Sequence, residues 1–350
     1  MLSSRIAQRV LAHDNDYSAL EAAYLRQTGC VLVTPELQPQ GHARLSQALS
    51  IVMPSHGSHA WLARTVEQLN RQSYGRFELV LVDDGSEPEL LPCLVRAGPT
   101  FEVKYVRQSV NRGIAATRNT GLAVAEGAAV LILDDDLIFG PHFVAELALR
   151  LEVVPEGLFV GFREKAYTEA ELSSRPPDYR RDWRASMQAE AHYHVSSLAA
   201  SAPAGREALR HYDFLAETEA FRTFGRGRVL GYHDLCGMVV GHTVGFRREP
   251  AIRGGGFCEE FVGWGGEDLA FGALMIALGH YVIPSLSTTS WTLEKRAEPH
   301  ADAEKYRHFD ENVARYRRYA ATELGALTFP RRAVRRLGKV ERIERFAWDG

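Results

Sequence analysis

The sequence is poor in the features that mark secreted, membrane-embedded and nucleic-acid-binding proteins. It has four cysteines in 350 residues, none in a CxxC spacing, which argues against a disulfide framework and against a zinc site. No window approaches the roughly 20 consecutive apolar residues of a membrane span, and the first residues lack the apolar segment of a secretory signal. The formal net charge of -3 provides no general attraction for nucleic acid. We therefore expect a cytoplasmic protein with reduced thiols, no integral membrane segment and no nucleic-acid partner.

The chain instead has an ordinary globular composition and a rhythm of short apolar runs. A hydrophobic content of 45% and a charged content of 24% are sufficient for a sizeable core. From Leu49 onward, apolar runs that end in turns alternate with stretches of helical periodicity. The runs are LSIVMPS, FELVLVDD, VKYVRQ and AAVLILDDD. This alternation predicts an α/β fold with a mainly parallel sheet, in which ligands bind beyond the carboxyl ends of the strands.

Three consecutive carboxylates, Asp134, Asp135 and Asp136, follow the last of these runs. Burial at a strand end raises the cost of ionised carboxylates unless a cation compensates for their charge. Magnesium or manganese could do so, because both favour carboxylate and phosphate oxygens. In an extended chain Asp134 and Asp136 would point one way and Asp135 the other. On its own, the stretch is equally well explained as a solvated turn or a helix cap.

Two more stretches put polar groups beyond strand ends. VDDGS has Asp83 at the end of the second run, where a carboxylate can accept hydrogen bonds from a nucleobase or a ribose. NRGIAATRNTG offers Gly113 at a helix start together with Arg112 and Arg118. Such a start can bind a phosphate through its backbone N–H groups and the helix dipole. A glycine-started helix with solvated arginines is the alternative.

The stretch GWGGED, residues 263–268, combines glycines, a tryptophan and two acids. Acids are favourable at a helix N-terminus, and this alone would explain Glu267 and Asp268. Trp264 is harder to explain as a core residue, because flanking glycines pack against nothing but allow close backbone approach. An aromatic face beside carboxylates suits a sugar ring, whose faces are apolar and whose rim carries hydroxyls.

Taken in order, five stretches resemble the motifs of family-2 glycosyltransferases of the GT-A fold. They are SIVMPSHG, LVDDGS, NRGIAATRNTG, LILDDDL and GGFCEEFVGWGGEDLAFG. The GWGGED end is similar to the galactosyltransferase-type C-terminal module of several inverting enzymes. The resemblance implies a GT-A (Rossmann-like), doubly wound, mainly parallel sheet with N- and C-terminal helical extensions.

The resemblance also implies a division of the chain. Residues 1–48 would be an N-terminal extension, residues 49–292 the catalytic domain, and residues 293–350 a helical tail. Within the catalytic domain we expect a nucleotide-sugar-binding half, a variable acceptor-side segment and an acceptor or catalytic half. These are residues 49–140, 163–235 and 236–292, respectively.

One set of residues is thereby assigned to the donor nucleotide-sugar, a UDP-sugar. Asp83 would contact the uracil or the ribose, and Pro54 and Ser55 would line the base pocket. Arg118 and Asp135 would lie near the donor. The acids of this set stand at the carboxyl ends of predicted strands, where the ligand of such a sheet is expected.

The metal and the catalytic groups are implied in the same way. Asp134 and Asp136 match the ends of a DxD motif, with Asp136 as the direct ligand of Mn²⁺ or Mg²⁺ and Asp134 also contacting the sugar or ribose. Asp268 matches the catalytic base, which would take the proton of the acceptor nucleophile in a single in-line displacement with inversion. The metal would neutralise the departing diphosphate. Contacts to the acceptor or the donor sugar are matched by Trp264, Gly265 and Glu267.

Some positions depart from the family pattern. Cys258 stands where relatives often carry an aspartate. Ser290 and Trp291 lie near the place of a histidine that often completes the metal site, so His300 or His308 would have to substitute for it.

The acceptor is left open as a glycan, a peptide or a small natural product. An arginine-rich stretch around Trp183 could contact an anionic acceptor or form a solvated loop. In the tail, Val334, Leu337, Val340 and Ile343 stand at helical spacing, which predicts a helix packed on the domain or on a partner subunit of a homo-oligomer. Three alternative functions remain: a nucleotidyltransferase, a non-catalytic nucleotide- or carbohydrate-binding protein on the same scaffold, and a processive polysaccharide synthase, which normally adds membrane spans or a second catalytic module.

Overall fold

The computed structural model describes residues 6–42, 45–174, 229–230, 233–293 and 340–346, and between 307 and 319 all residues except 310, 313 and 317. These residues form a nine-stranded sheet, a separate two-stranded sheet, and helices on both faces of the larger one. The strands are β1 Leu49–Ser55, β2 Phe77–Asp84, β3 Glu102–Gln108, β4 Ala129–Leu133, β5 Leu137–Phe139, β6 Gly157–Ala166, β7 Val229–Leu230, β8 His233–Asp234, β9 Thr243–Arg247, β10 Tyr281–Leu293 and β11 Val340–Phe346. The helices are α1 Ile6–Ala12, α2 Ser18–Thr28, α3 Pro39–His42, α4 His59–Asn70, α5 Leu91–Ala97, α6 Ile114–Val124, α7 Phe143–Val153, α8 Glu169–Ser174, α9 Arg248–Gly254 and α10 Glu267–Ala277.

The large sheet has the strand order β11-β3-β2-β1-β4-β9-β6-β10-β5. Strands β3, β2, β1 and β4 are parallel, and they are the four apolar runs of the sequence. Strand β9 lies antiparallel between β4 and β6, β10 runs parallel to β6, and the edge strands β5 and β11 are antiparallel to their neighbours. The predicted fold class, α/β with a mainly parallel sheet, is confirmed.

The core lies on both faces of this sheet because its central strands are buried along their whole length. In β1, Ile51 and Met53 belong to the cluster beneath α4 and α7, whereas Val52 belongs to the cluster beneath α6 and α10. This is the alternation that a strand imposes on its side chains. The carboxyl ends of β1, β2 and β4 therefore reach one edge of a rigid layer.

The N-terminal extension packs on the domain. Ile6 and Val10 of α1 are buried in the same cluster as α10, and the guanidinium of Arg9 donates to the carbonyl of Ala277 at 3.1 Å. The side chain of Asn15 bonds both backbone groups of Val282, donating to its carbonyl at 3.0 Å and accepting from its N–H at 2.8 Å. The extension thus covers part of β10 and α10.

A buried carboxylate on α7 fixes the rest of the extension. The Glu146 side chain is fully buried and accepts hydrogen bonds from the Gln38 N–H at 2.7 Å, His42 Nε2 at 2.9 Å, Arg150 Nη1 at 2.7 Å and Ser287 Oγ at 2.8 Å. Burial alone raises its pKa, but the Arg150 charge and these donors outweigh burial and hold it below the ordinary value. One anion therefore joins the extension, α7 and β10.

The predicted C-terminal helix is wrong for residues 340–346, which form strand β11 antiparallel to β3. The hydrogen-bonding groups of the β3 edge need partners, and β11 supplies them, which outweighs the helical spacing of Val340 and Ile343. Side-chain contacts also hold β11 against β3. The guanidinium of Arg342 lies over the Tyr105 ring at 5.8 Å and donates a hydrogen bond of 2.7 Å to Glu89.

Several predicted features lie outside the described residues. They include Trp183 with most of the 163–235 segment, His300, Val334 and Leu337. Among the residues that the structure describes, no helix has both the length and the apolar character needed to cross a bilayer.

Candidate active site

A cavity of about 330 Å³ opens beyond the carboxyl ends of β1, β2 and β4, where α6 begins. Its lining residues come from these strand ends, the turn after β4 and the first turn of α6. They are Pro54, Ser55, His56, Ser58, Asp84, Asn111, Gly113, Ile114, Thr117, Asp134, Asp135 and Asp136. The cavity thus gathers Pro54, Ser55 and the three consecutive aspartates, as the sequence predicts.

Each aspartate of the trio has a different environment. The backbone N–H of Asp134 donates to the His242 carbonyl at 3.0 Å, which ties the end of β4 to the turn before β9. The Asp135 carboxylate accepts a short hydrogen bond from the Ser55 hydroxyl. Asp136 accepts a hydrogen bond of 2.9 Å from the Thr292 hydroxyl of β10. The alternation expected of an extended chain does not apply here, because the chain turns at Asp135 and Asp136, and all three residues line the cavity.

Burial makes ionisation of two of these acids costly. Desolvation is the largest influence on Asp134 and raises its pKa to about 7, although the Arg118 charge opposes the rise. Desolvation likewise raises the pKa of Asp135 to about 6, against the hydrogen bonds of Ser55 and Ser58. A cation in the cavity would favour the ionised forms of both acids.

Arg118 of α6 connects the trio to α10. The residue is 3% exposed, and its Nη1 donates to Glu267 Oε1 at 2.9 Å. Nη2 donates to the Gly241 carbonyl at 3.1 Å and lies 3.7 Å from Asp134 Oδ1. A Cβ on Gly241 would lie 2.4 Å from Nη2, so with any other residue here the guanidinium would have to shift. One guanidinium therefore brings Asp134 and Glu267 together.

Asp268 follows Glu267 at the start of α10. Its Oδ2 accepts from the Gly241 N–H at 3.2 Å and its Oδ1 from the Leu269 N–H at 2.9 Å. Burial, and next the adjacent Glu267 charge, raise its pKa to about 7, while Arg118 opposes this rise. Gly241 contacts both Arg118 and Asp268, so the predicted base lies on the same side of the molecule as the trio.

The glycine loop ahead of α10 is shaped by the helical residues between 307 and 319. Gly263 and Gly265 have φ of +78° and +85°, and a Cβ on them would lie 2.5 Å from the His308 ring and 2.8 Å from the Phe309 ring. Trp264 packs against Phe309 with 5.4 Å between ring centroids. Asn312 Nδ2 donates to the carbonyls of Val262, Trp264 and Gly265 at 3.1, 3.2 and 2.7 Å.

Asp83 and Asp84 occupy different sites, although both end β2. Asp83 is fully buried and accepts from the Ser86 and Leu90 N–H groups at 2.8 and 3.0 Å, from the Tyr105 hydroxyl at 2.5 Å and from Arg107 at 3.0 Å. Burial favours a higher pKa, but these donors outweigh it and hold the Asp83 pKa below its ordinary value. Asp83 does not line the cavity, whereas Asp84 does.

The start of α6 is already engaged by Asp84. Asp84 accepts hydrogen bonds from the Arg112 N–H at 2.7 Å and the Gly113 N–H at 2.9 Å. The helix start that the sequence predicts as a phosphate-binding site therefore lies in the cavity. Two of its backbone N–H groups, however, already donate hydrogen bonds to the Asp84 carboxylate. Sequence reasoning missed Asp84 and also Thr292, which stands beside Ser290 and Trp291 in β10 and contacts Asp136.

A second group of acids lies toward the opposite ends of the strands. Carboxylate oxygens of Glu78, Glu102 and Glu126 lie within 4.8 Å of one another, an arrangement that could hold a metal. Lys104 already pairs with Glu78 and, at 3.0 Å, with Glu126. This ammonium supplies the positive charge that such a cluster needs. The predicted metal ligands Asp134 and Asp136 do not belong to this group.

The mainly parallel sheet with helices on both faces is that of the GT-A class of glycosyltransferases. The chain belongs to glycosyl transferase family 2, whose model matches residues 50–252. The match ends before the glycine loop at 263–266, so the galactosyltransferase-type assignment of that module stays a prediction.

Known proteins similar to the chain agree with this family. It is 26% identical to a hyaluronan synthase of Pasteurella multocida over 272 residues, 77% of this chain and 26% of the relative. It is 27% identical to a validoxylamine A glucosyltransferase of Streptomyces hygroscopicus subsp. limoneus over 257 residues, 70% of this chain and 51% of the relative. It therefore spans from about a quarter to about half of these two relatives.

A solved structure supports the fold. The chain resembles the mannosyltransferase PcManGT from Pyrobaculum calidifontis, solved with GDP-Man and Mn²⁺, with a TM-score of 0.50. The sequences are 15% identical, and the alignment covers 94% of this chain and 83% of that one. At this identity the likeness concerns the fold alone.

Proposed function

We propose that the protein transfers a sugar from a UDP-sugar to an acceptor nucleophile, with inversion at the anomeric carbon. The observation that carries the proposal is the Arg118 bridge, with Asp134 at 3.7 Å on the cavity side and Glu267 at 2.9 Å at the start of α10. One buried cation thus connects Asp134 to the turn that carries the candidate base, Asp268, whose pKa its charge lowers. Membership of glycosyl transferase family 2 supports the type of reaction.

The donor nucleotide would occupy the cavity. Its volume of about 330 Å³ falls at the lower end of the range of small-molecule sites. Pro54 and Ser55 would line the base, as the sequence predicts, and Asp84 is the β2 acid that lines the same space. Asp83, whose carboxylate is held by four protein donors, would act by shaping the turn after β2.

The trio fits a hard divalent ion, Mn²⁺ or Mg²⁺. Its three residues line one cavity, and burial raises the pKa of Asp134 and Asp135, so a cation there would offset the cost of their charge. Asp134 and Asp136 would hold the ion, which would supply charge neutralisation for the departing diphosphate. Thr292 would orient Asp136 through the hydrogen bond it donates.

Asp268 and Trp264 would act on the acceptor, the first by taking its proton and the second by contacting a sugar ring. Asp268 would accept the proton of the acceptor nucleophile, and a pKa of about 7 suits a base that works near neutral pH. Glu267 stays paired with Arg118, which leaves Asp268 as the acid of this turn that acts on the acceptor. Trp264, on the glycine loop ahead of both acids, would offer its ring face to a sugar.

The test is product analysis by mass spectrometry with a panel of UDP-sugars and candidate glycan, peptide and small-molecule acceptors, with and without Mn²⁺. We expect a glycosylated product and free UDP. Asp268→Asn should bind UDP as the wild type does, measured by calorimetry, but lose transfer. Release of sugar 1-phosphate in place of UDP, with UMP joined to the acceptor, would indicate a nucleotidyltransferase, and UDP binding without turnover of any donor would indicate a binding protein. Normal turnover by Asp268→Asn would contradict the assignment of the base.

A further inference from the structure

The short strand β5 directly follows the aspartate trio and lies at one edge of the nine-stranded sheet. It consists of three residues, Leu137–Phe139, and pairs with β10 on one side. Within the described part of the chain, no strand pairs with its other side. Backbone groups that lie away from water need hydrogen-bond partners. At this edge, side chains of helix α4 supply them.

The side-chain amide of Gln68 takes the place of a neighbouring strand. Its Nε2 donates a hydrogen bond of 3.1 Å to the carbonyl of Leu137, and its Oε1 accepts one of 2.6 Å from the N–H of Phe139. These are the two backbone groups that one residue of a parallel neighbouring strand would bind. Strand β5 is therefore held between β10 and α4.

Thr65, three residues earlier in α4, holds the trio itself. Its hydroxyl donates a hydrogen bond of 2.7 Å to the carbonyl of Asp135, and the residue is fully buried. This carbonyl belongs to the peptide group that joins Asp135 to Asp136. Residues three apart share one face of a helix, so one face of α4 binds both the peptide before Asp136 and the strand after it.

The opposite side of β5 carries the group that contacts the Asp136 carboxylate. Leu137 pairs with Thr292 of β10, and the Thr292 hydroxyl donates to Asp136 Oδ2 at 2.9 Å. This hydrogen bond depends on the position of β5 on β10. A shift of β5 would therefore move Asp136 away from the hydroxyl that orients it.

We propose that Thr65 and Gln68 are positioning residues for the divalent cation, because they fix the turn from which Asp136 presents its carboxylate. The inference rests on the proposed function, in which Asp134 and Asp136 hold Mn²⁺ or Mg²⁺. Neither Thr65 nor Gln68 lines the cavity, so both act through the backbone of the turn. Outer partners that orient metal ligands typically contribute about 10- to 100-fold in metal affinity.

Gln72 provides a matched control one turn further along α4. Its Nε2 donates to the carbonyl of Gly140 at 2.9 Å, and its Oε1 accepts from the N–H of Val144 at 3.0 Å. The Nε2 of Gln68 and of Gln72 also donates to the carbonyl four residues earlier in the helix, at 3.2 and 3.1 Å. Replacement of either glutamine removes the same kinds of hydrogen bond, but only Gln68 binds the strand that follows Asp136.

The test measures Mn²⁺ binding to the full chain by electron paramagnetic resonance, with no donor present. Gln68→Met should bind Mn²⁺ about tenfold more weakly than the wild type, or worse, whereas Gln72→Met should bind it equally well. Thr65→Val removes the hydroxyl, keeps the branched shape, and should weaken binding as Gln68→Met does. Similar urea unfolding of the two methionine variants would show that the difference does not come from global stability. Asp136→Ala should abolish binding, which places the measured ion at the trio.

The outcomes separate this inference from the proposed function. If the wild type binds Mn²⁺ and Asp136→Ala does not, equal affinities in Gln68→Met and Gln72→Met would overturn the inference and leave the metal assignment intact. A wild type that binds no Mn²⁺, or binding that survives Asp136→Ala, would contradict the metal role of the trio. The positioning roles of Thr65 and Gln68 would then fall with it.

Discussion

The side-chain amide of Asn312 donates a hydrogen bond of 2.7 Å to the carbonyl of Gly265. The same nitrogen lies within hydrogen-bond distance of two further carbonyls of the glycine loop, and the residue is fully buried. Asn312 lies 60 residues beyond the end of the family match at residue 252. A residue outside the matched region thus fixes the loop that leads into Glu267 and Asp268.

Replacement of Asn312 by Asp should impair transfer without impairing donor binding. A carboxylate oxygen would face the carbonyls of Val262, Trp264 and Gly265, which repel it, and the loop would shift. Misplacement of a catalytic group by about 1 Å can cost roughly 100-fold in rate. We expect a loss of this order in kcat with the UDP dissociation constant unchanged, measured by steady-state kinetics and calorimetry. Arg307→Ala, which removes an exposed ion pair with Glu311 on the same segment, should leave both values unchanged.

Arg118 should set the acidic limb of the pH–rate profile. Asp268 acts as a base only when ionised, and its pKa is raised to about 7, so kcat/KM should fall as the pH falls below this value. Arg118 lowers that pKa, so Arg118→Met should raise it further and move the acidic limb to higher pH. Arg112→Met is the control from the same motif, because Arg112 pairs with Glu259. If both variants moved the limb equally, the effect could not be assigned to Arg118.

Gly241→Ala should disrupt the hydrogen bonds by which Arg118 bridges the Gly241 carbonyl and Glu267. The new methyl group would lie 2.4 Å from Arg118 Nη2, and the guanidinium would have to leave either the Gly241 carbonyl or Glu267. We expect a lower kcat/KM and an acidic limb displaced in the same direction as in Arg118→Met. Gly75→Ala adds its methyl group to open space and should have no effect. Wild-type kinetics in Gly241→Ala would show that the bridge is dispensable.

The parts of the fold that sequence alone predicts are those decided by local pattern. Strands β1, β2 and β4 are buried apolar runs, each followed by a clear turn. Their carboxyl ends, and the aspartates at or after them, could therefore be placed at one edge of the sheet. The segment VERIERF fits both a helical and an alternating pattern, and only the open edge of β3 selects the strand. That edge is a tertiary partner, which local periodicity does not reveal.

The residues of the candidate site also divide into those that local sequence pattern predicts and those that depend on tertiary partners. Asp83 and Asp84 are neighbours at one strand end, so alternation requires them to face opposite ways. The sequence does not indicate which of them faces the ligand, because the answer depends on Tyr105 and Arg107 of β3 packing against Asp83. Asn312 carries no motif at all, and its role follows only from its position against the glycine loop.

Arg150→Met should strongly destabilise the fold. Its partner Glu146 is fully buried and would be left as an uncompensated anion, a change that typically costs about 3–5 kcal/mol. Urea unfolding should show this loss. The pKa of Glu146 is held below its ordinary value in the fold. The wild type should therefore also lose stability as the pH falls from the ordinary glutamate pKa to the lower pKa of the folded state.

The matched control is another Glu–Arg pair four residues apart on a helix. Glu249 and Arg253 lie 3.4 Å apart with side chains 71% and 69% exposed, and water screens such a pair. Arg253→Met should therefore cost no more than about 0.5 kcal/mol. Since Glu146 also binds Gln38 and His42, proteolysis of the N-terminal extension should accelerate in Arg150→Met and not in Arg253→Met. Equal free energies of unfolding for the two variants would mean that the buried anion does not hold the extension in place.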